Sequence, residues 1–144
     1  MLNGGSFRMK ICVVGAAGDI GRQIVSSIIR ERIPLPDETL QLVGRDEPSS
    51  QLKLLGLISD LRDGFAETSP EIESAGARKV DADIIVIAAG SSTDSNNPKR
   101  AGLARANLPT LREYADGITF AGHEIVIIVT NPVELGVTVF CEKH

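Results

Sequence analysis

The sequence predicts an α/β domain in which a parallel β-sheet is covered by helices. Short apolar segments alternate with amphipathic segments along the 144 residues, and this alternation is typical of parallel strands joined by right-handed crossover helices. The apolar segments are continuous and rich in β-branched residues, as expected of strands that are buried on both faces. A chain of this length makes one domain, or one part of a larger protein, and can bury about two-thirds of its unfolded surface.

The first predicted elements are a strand, a glycine-rich turn and a helix. Lys10–Val14 is predicted to be a buried strand, and Gly15–Gly21 is the turn that follows it. Asp19–Glu31 is predicted to be a helix packed on the sheet, because its apolar residues recur at helical spacing. Those residues are Ile20, Ile24, Val25, Ile28 and Ile29. The helix ends before Pro34 and Pro36.

The middle of the chain repeats the alternation. Leu40–Val43 is predicted to be the second strand, and Ser49–Arg62 a helix whose apolar residues follow at three-residue steps. Those residues are Leu52, Leu55, Ile58 and Leu61. A short strand is expected near Pro70–Glu73. Ile84–Ala89 is unbroken, β-branched and followed by Gly90, which favours a central parallel strand.

The last third begins with a polar loop at Ser91–Pro98, with the sequence SSTDSNNP. A helix is predicted from Lys99 to Leu108, and Pro109 is expected to open a second helix as its first residue. The remaining elements are a buried strand, a turn and a further helix: Ile125–Thr130, Asn131-Pro132 and Val133–Lys143.

Composition and charge argue against several kinds of partner. The net charge is −4, the basic residues are scattered and aromatic residues make up 3% of the chain, so no nucleic acid is expected to bind. The apolar runs are far shorter than the roughly 20 residues that span a bilayer, so no membrane partner is expected. Cys12 and Cys141 lie in apolar runs and are interpreted as small core residues of a reducing, cytoplasmic protein. No Cys/His cluster predicts a metal site.

The most specific motif is the turn after the first strand. It reads Gly15, Ala16, Ala17, Gly18, Asp19, Ile20 and Gly21. Gly15 can adopt backbone angles closed to other residues, Gly18 lets a phosphate approach the main chain, and Gly21 lets the helix pack close to the strand. The helix N-terminus then presents N–H groups and a partial positive charge to a pyrophosphate. The alternative is a tight strand-to-helix turn without a ligand.

Five segments in order carry a resemblance to a known family. They are Lys10–Gly21, Leu57–Leu61, Asp83–Gly90, Arg100–Asn107 and Ile127–Glu134. Together they resemble the N-terminal NAD(P)-binding domain of malate and lactate dehydrogenases, with residues 10–144 inside the resemblance and residues 1–9 an extension outside it. The resemblance implies a doubly wound Rossmann sheet of strand order 3-2-1-4-5, without the C-terminal catalytic domain. It also implies hydride transfer between NAD(P) and a 2-hydroxy/2-keto acid, with malate/oxaloacetate favoured.

The end of the second strand bears on the choice of cofactor. NAD-specific sites place an acidic residue there to accept from the ribose hydroxyls, whereas this chain has Gly44 followed by Arg45. A similar Gly-Arg-acid sequence occurs in archaeal-type malate dehydrogenases that accept NADP. Glycine removes the repulsion of a 2′-phosphate and the guanidinium can bind it, so NADP is favoured over NAD. The alternative is that Arg45 pairs with Asp46 or Glu47, and that Asp46 serves the ribose.

The resemblance also implies roles for residues in the second half. Arg100 would polarise the substrate carbonyl, Asn131 would hold substrate beside the nicotinamide, and the Asn131-Pro132 peptide bond would be cis. The remaining residues expected at the cofactor are Ala89, Gly90, Asn107 and Val129. Thr93, Asp94 and Ser95 lie where malate-type enzymes carry an arginine for the second carboxylate, and Lys99 is a partial substitute.

No residue matches the family's catalytic acid. The family uses a histidine oriented by an aspartate, together with a further arginine, and neither His123 nor His144 falls in that pattern. We therefore expect no catalytic residue in this chain and no turnover by the chain alone. Apolar residues of the last predicted helix are expected to be exposed and to favour a homo-oligomer: Val133, Val137, Val139 and Phe140. Two other hypotheses are the nucleotide domain of an NAD-dependent glycosidase and a non-catalytic dinucleotide-binding module.

Overall fold

The computed structural model describes residues 7–91 and 99–144. They form one five-stranded parallel sheet in the order β3-β2-β1-β4-β5, which confirms the predicted topology. The strands are β1 (Lys10–Val14), β2 (Thr39–Val43), β3 (Glu71–Ser74), β4 (Ile84–Ile87) and β5 (Ile125–Ile128). The helices are α1 (Asp19–Arg30), α2 (Pro48–Gly64), α3 (Arg100–Gly117) and α4 (Val133–Cys141), with a 3₁₀ turn at Ala77–Lys79.

Side chains of the central strands alternate between two apolar cores, one on each face of the sheet. Cys12 and Val14 of β1 point into the core formed with α3 and α4. Ile11 and Val13 point to the other face, into the core formed with α1 and α2. Because β1 and β4 are covered on both faces, their continuous apolar sequence matches their burial. Burial raises the pKa of the Cys12 thiol to about 12, in keeping with an inert core residue.

The predicted buried faces of α1 and α2 need correction. Ile20 is half exposed because it belongs to the first turn of α1, at the mouth of the crevice described below. On α2, Leu52 and Leu55 are 70% and 57% exposed. The face that packs on the sheet carries Leu54, Ile58 and Leu61 instead. A step of three residues drifts around a helix that has 3.6 residues per turn, so only part of the predicted series reaches the core.

The segment predicted as two helices is the single helix α3. Pro109 lies inside it, and the helix continues to Gly117. Leu111, Tyr114 and Ala115 are buried in the core beyond the proline. Packing of this second half on the sheet compensates for the backbone hydrogen bond that a proline cannot donate. The prediction that Pro109 opens a new helix is therefore wrong.

The solvent exposure of several residues near the end of the chain also differs from the prediction. β5 is an edge strand, and its Ile125 and Ile127 are 61% and 45% exposed, so it is not the fully buried strand that was predicted. Val139 and Phe140 of α4 pack into the domain's own core rather than facing outward. Cys141 is exposed and is not a core residue.

No helix in the described ranges is long and apolar enough to cross a membrane. Among those same residues, no group of three or more His, Cys, Asp and Glu side chains could hold a metal ion.

Candidate functional site

A crevice lies at the carboxyl ends of β1, β4 and β5, and consists of two adjoining cavities. The β5-side cavity, of about 370 Å³, is lined by the turn after β1, the ends of β4 and β5 and one residue of α3. The β2-side cavity, of about 200 Å³, is lined by the same turn and by residues that follow β2. Gly18, Ala88 and Gly90 line both cavities. Ligands of open parallel sheets bind at this edge, where the strand order reverses.

Gly15 and Gly21 are required by the packing of the turn itself. Gly15 has φ +85°, and a Cβ there would lie 2.6 Å from the Ala89 backbone. A Cβ on Gly21 would lie 2.0 Å from the Gly15 carbonyl oxygen. The N–H groups of Gly15 and Ala16 both donate to the Val43 carbonyl, at 2.8 and 3.1 Å, which ties the turn to β2. These contacts hold the start of α1 directly against the sheet.

Gly18 differs from Gly15 and Gly21 because none of the described residues comes close enough to require glycine there. Its φ is −79°, and a Cβ would lie 3.4 Å from the Gly15 carbonyl oxygen, an ordinary contact. Gly18 is the N-cap of α1, where no side chain caps the helix, and it lines both cavities. The first-turn N–H groups are therefore available to an anion that approaches the bare main chain. The turn fits the pyrophosphate of a dinucleotide.

The ends of β4 and β5 are held together by Asn107 and Thr130. The Asn107 amide oxygen accepts from the Ser91 N–H at 2.7 Å, and its Nδ2 donates to the Asn131 carbonyl at 2.7 Å. Thr130 Oγ1 lies 2.7 Å from the Ala89 carbonyl oxygen, to which it donates. Gly90, with φ +155°, packs so closely that a Cβ would lie 2.8 Å from the Thr130 methyl group. The polar groups of Asn107 are thus engaged with backbone, and they position Ser91 and Asn131 at the crevice.

The β2-side cavity contains the residues predicted to select the cofactor. Gly44 and Arg45 both line it, together with Glu47, Ser50 and Lys53. The Arg45 N–H donates to Ser50 Oγ at 3.1 Å, which fixes the loop between β2 and α2. Within residues 7–91 and 99–144, Arg45 makes no ion pair with a carboxylate, so the alternative pairing of Arg45 with Asp46 or Glu47 is not seen.

Tyr114 also lines this cavity. Burial raises the pKa of the Tyr114 hydroxyl, the nearby charge of Glu113 adds to this, and the positive charge of Arg45 acts in the opposite direction.

Arg100 and Asn131, the two predicted substrate-binding residues, are placed differently. Asn131 lines the β5-side cavity, and its peptide bond to Pro132 is cis, as the resemblance implied. Arg100, at the first position of α3, points away from that cavity and pairs with Glu134 of α4. The pKa of Glu134 is lowered, first by a hydrogen bond from its own backbone N–H and then by Arg100. Thr93, Asp94 and Ser95 lie outside the described residues.

The predicted cofactor residues fall into two groups. Those that line the crevice are Gly15, Ala17, Gly18, Asp19, Ile20, Gly44, Arg45, Ala89, Gly90, Val129 and Asn131. Ala16, Gly21 and Asn107 lie behind it, and direct contacts from them remain a prediction. The crevice is also lined by residues that were not predicted from the sequence: Glu47, Ser49, Ser50, Lys53, Ser91, Leu103, Tyr114 and Thr130. Most of these residues follow closely after the end of a strand, and that position is the signal by which the sequence could have indicated them.

Neither histidine lies at the crevice. His123 is an exposed loop residue, with Nε2 3.3 Å from Asp83 Oδ1. His144 stacks on Phe120, with ring centroids 4.0 Å apart.

Comparison with known proteins places this geometry in a family. Residues 9–144 match the family described as the NAD-binding domain of lactate/malate dehydrogenase. The chain belongs to the lactate/malate dehydrogenase family. No curated protein sequence matches it.

Solved structures of family members share the fold at low sequence identity. Lactate dehydrogenase from Cryptosporidium parvum, in complex with lactic acid and nicotinamide adenine dinucleotide, is 24% identical with a TM-score of 0.73; the match covers 95% of this chain and 42% of that one. Malate dehydrogenase from Naegleria fowleri is 21% identical with a TM-score of 0.76, covering 96% and 44%. Minor L-lactate dehydrogenase from Enterococcus mundtii is 22% identical with a TM-score of 0.72, covering 93% and 42%. The chain thus spans less than half the length of these enzymes.

Proposed function

We propose that this chain is the dinucleotide-binding part of an oxidoreductase that transfers a hydride between NAD(P) and a 2-hydroxy/2-keto acid. The observation that carries the proposal is the position of Gly18. The contacts around Gly18 leave room for a side chain, and the absence of one leaves bare main chain where the two cavities meet. Bare main chain beside an uncapped helix N-terminus is what a pyrophosphate requires.

When bound, the nicotinamide supplies the hydride chemistry, and the chain supplies binding and orientation. Gly18 and the first turn of α1 would hold the pyrophosphate. Val129 and Asn131, which line the β5-side cavity, would hold the nicotinamide side of the cofactor and the substrate beside it. Arg100 would serve the substrate carbonyl only after leaving Glu134, so substrate binding must compete with that ion pair. We propose malate/oxaloacetate as the substrate pair, on the resemblance to malate dehydrogenases.

We further propose that NADP binds at least as tightly as NAD. No carboxylate stands at position 44 to repel a 2′-phosphate, and the Arg45 guanidinium lines the same cavity without a carboxylate partner among the described residues. A charge-assisted hydrogen bond of this kind contributes about 1.5–3 kcal/mol.

Calorimetric titration with NADP and NAD tests both proposals. The unmodified chain is expected to bind both dinucleotides, and Arg45→Gln to lose about tenfold or more in NADP affinity with little change for NAD. Arg78→Gln is the matched control, because Arg78 is exposed and lines neither cavity of the crevice. Equal NADP affinity in the unmodified chain and in Arg45→Gln would reject the role of Arg45. Failure of both dinucleotides to bind would reject the proposed function.

The domain also leaves apolar surface uncovered, which supports the proposal of a homo-oligomer. Ile125 and Ile127 of the edge strand, and Val133 and Val137 of α4, are all more than 40% exposed. Contiguous apolar patches are typical of surfaces that bind another protein.

A further inference from the structure

The Ser50 hydroxyl occupies the space that a side chain at position 44 would take. A Cβ built on Gly44 would lie 2.9 Å from Ser50 Oγ, closer than real Cβ contacts come. Ser50 can make room by rotating, but its Oγ then gives up the hydrogen bond that it accepts from the Arg45 N–H at 3.1 Å. A side chain at position 44 therefore displaces Ser50 and releases one of the contacts of the loop between β2 and α2.

Ser50 also presents a donor to the cavity that Gly44 opens. Its oxygen is used as an acceptor by Arg45, and none of the hydrogen bonds among residues 7–91 and 99–144 uses the hydroxyl as a donor. A hydroxyl in this state can donate to a ligand oxygen. The oxygens of a phosphate, all of which are acceptors, can take this hydrogen bond.

Lys53 follows Ser50 by three residues on α2, so the two side chains lie on the same side of the helix. Both line the β2-side cavity, where Arg45 and Lys53 carry positive charge and Glu47 the opposing negative charge. Neither Arg45 nor Lys53 has a carboxylate partner within 4 Å in the part of the chain that the structure describes. The cavity thus has an excess of positive charge that nothing in those ranges neutralises.

We propose that Ser50 and Lys53 are specificity-determining residues that bind a phosphate on the adenosine ribose, beside Arg45. The inference rests on the proposed function, because it presumes that the adenosine half of a dinucleotide occupies the β2-side cavity. The Ser50 hydroxyl and the Lys53 ammonium donate to phosphate oxygens. The close contact between position 44 and Ser50 disfavours the acidic residue that NAD-specific sites carry at the end of the second strand.

Titration with two mononucleotides tests the subsite separately from the rest of the cofactor. Adenosine 2′,5′-bisphosphate carries the additional phosphate, and adenosine 5′-monophosphate lacks it. Lys53→Gln is expected to weaken bisphosphate binding about fivefold or more and to leave monophosphate binding unchanged. Lys79→Gln is the matched control, since Lys79 is exposed and lines neither cavity of the crevice. Thermal unfolding of each variant checks that it is folded.

A pair of variants tests the steric part of the inference. Gly44→Asp alone is expected to lower the unfolding midpoint and to gain no affinity for NAD, because the new side chain meets Ser50. Gly44→Asp combined with Ser50→Ala is expected to unfold at the same midpoint as Ser50→Ala alone and to bind NAD more tightly than NADP, since the carboxylate can then enter the cavity.

The outcomes separate this inference from the one on which it rests. If neither dinucleotide binds the unmodified chain, the proposed function is wrong and the subsite fails with it. If NADP binds but Lys53→Gln retains the bisphosphate affinity of the control, the proposed function stands and the role of Lys53 is wrong. If Gly44→Asp alone is as stable as the double variant and binds NAD equally well, Ser50 does not restrict position 44.

Discussion

Three glycines in the turn after β1 meet different physical requirements. Gly15 adopts a left-handed backbone angle and touches the Ala89 backbone, while Gly21 lies against the Gly15 carbonyl. Substitution of either forces backbone to move. Gly18 has an ordinary backbone angle and space for a methyl group, so its role concerns what approaches the turn from outside. The contacts of Gly15 and Gly21 are those that the motif predicts, and the phosphate-binding role of Gly18 stays a prediction.

This difference predicts opposite results for two alanine variants. Gly15→Ala is expected to lower the free energy of unfolding by about 1–3 kcal/mol, because the strained angle and the overlap with Ala89 add. Gly18→Ala is expected to cost less, about 0.5–1 kcal/mol, because alanine is a poorer N-cap residue than glycine. It should nevertheless weaken NAD and NADP binding about tenfold or more, since a methyl group would separate the pyrophosphate from the main chain.

Urea unfolding and calorimetric titration of the same two proteins check this prediction. A Gly18→Ala protein that binds both dinucleotides like the unmodified chain would mean that no phosphate approaches the turn closely. A large loss of stability in Gly18→Ala would mean that the turn itself needs glycine there.

Residues of the site were predictable from sequence where a motif fixes backbone geometry, and not where only proximity in space matters. The glycine turn, Gly44 and Asn131 follow strand ends that apolar patterning locates. Ser50 and Lys53 lie on α2, and their relation to position 44 depends on how that helix is turned against the sheet. The apolar pattern of α2 predicts its buried face only in part. The sequence therefore does not show that Ser50 and Lys53 line the cavity.

At the scale of elements, strand order and element type were predictable, while the exposure of some side chains and the end of α3 were not. The alternation of apolar and amphipathic segments specifies crossovers. Pro109 was interpreted as a helix start because local rules favour proline there, yet packing of Leu111 and Tyr114 keeps α3 continuous. β5 has the sequence of a buried strand, but its position at the sheet edge leaves Ile125 and Ile127 exposed. Such outcomes depend on contacts distant in sequence.

The turn that leads into β5 is held by one carboxylate, which predicts a pH dependence. Glu124 accepts the N–H groups of Ala121, Gly122 and His123 at 2.6, 2.8 and 3.1 Å. These bonds, that of Ala121 first, lower the pKa of Glu124 from its usual 4.5 to about 2. Because the folded pKa lies below the unfolded one, the stabilisation is complete above about pH 5 and is lost as the pH falls towards 2.

Glu124→Gln is therefore expected to unfold at a lower temperature than the unmodified chain above pH 5, with the difference shrinking towards pH 2. Thermal unfolding followed by circular dichroism across this range measures it. Glu67→Gln serves as the control, because Glu67 is exposed and has no ion pair among residues 7–91 and 99–144. A constant difference between the Glu124→Gln and unmodified midpoints at all pH values would show that the carboxylate does not hold the turn by its charge.

At the scale of the whole molecule, the described crevice has groups that would bind a dinucleotide, whereas neither histidine of the chain lies at it. The crevice has the bare turn of Gly18, and Asn131 lines its β5 side. Reduction of a ketone by hydride also needs a proton donor, which usually is a histidine in a fixed orientation. His123 pairs with Asp83 and His144 stacks on Phe120, so neither histidine of the chain faces the crevice.

The last prediction is that this chain binds NAD(P)H but does not reduce 2-keto acids at an enzymatic rate. A missing acid or base typically costs about 10²–10⁴-fold in rate, and lost positioning of the substrate costs more. Arg100 adds to the deficit, because it is paired with Glu134 rather than directed into the crevice. The purified chain would be mixed with NADPH or NADH and with oxaloacetate or pyruvate, and the absorbance of the reduced nicotinamide followed under conditions where titration shows the cofactor bound. We expect cofactor binding to saturate, and we expect no saturable rate of keto-acid reduction. Saturable turnover that Arg100→Ala abolishes would mean that the proton donor lies within these 144 residues, and that the ion pair with Glu134 opens readily when substrate binds.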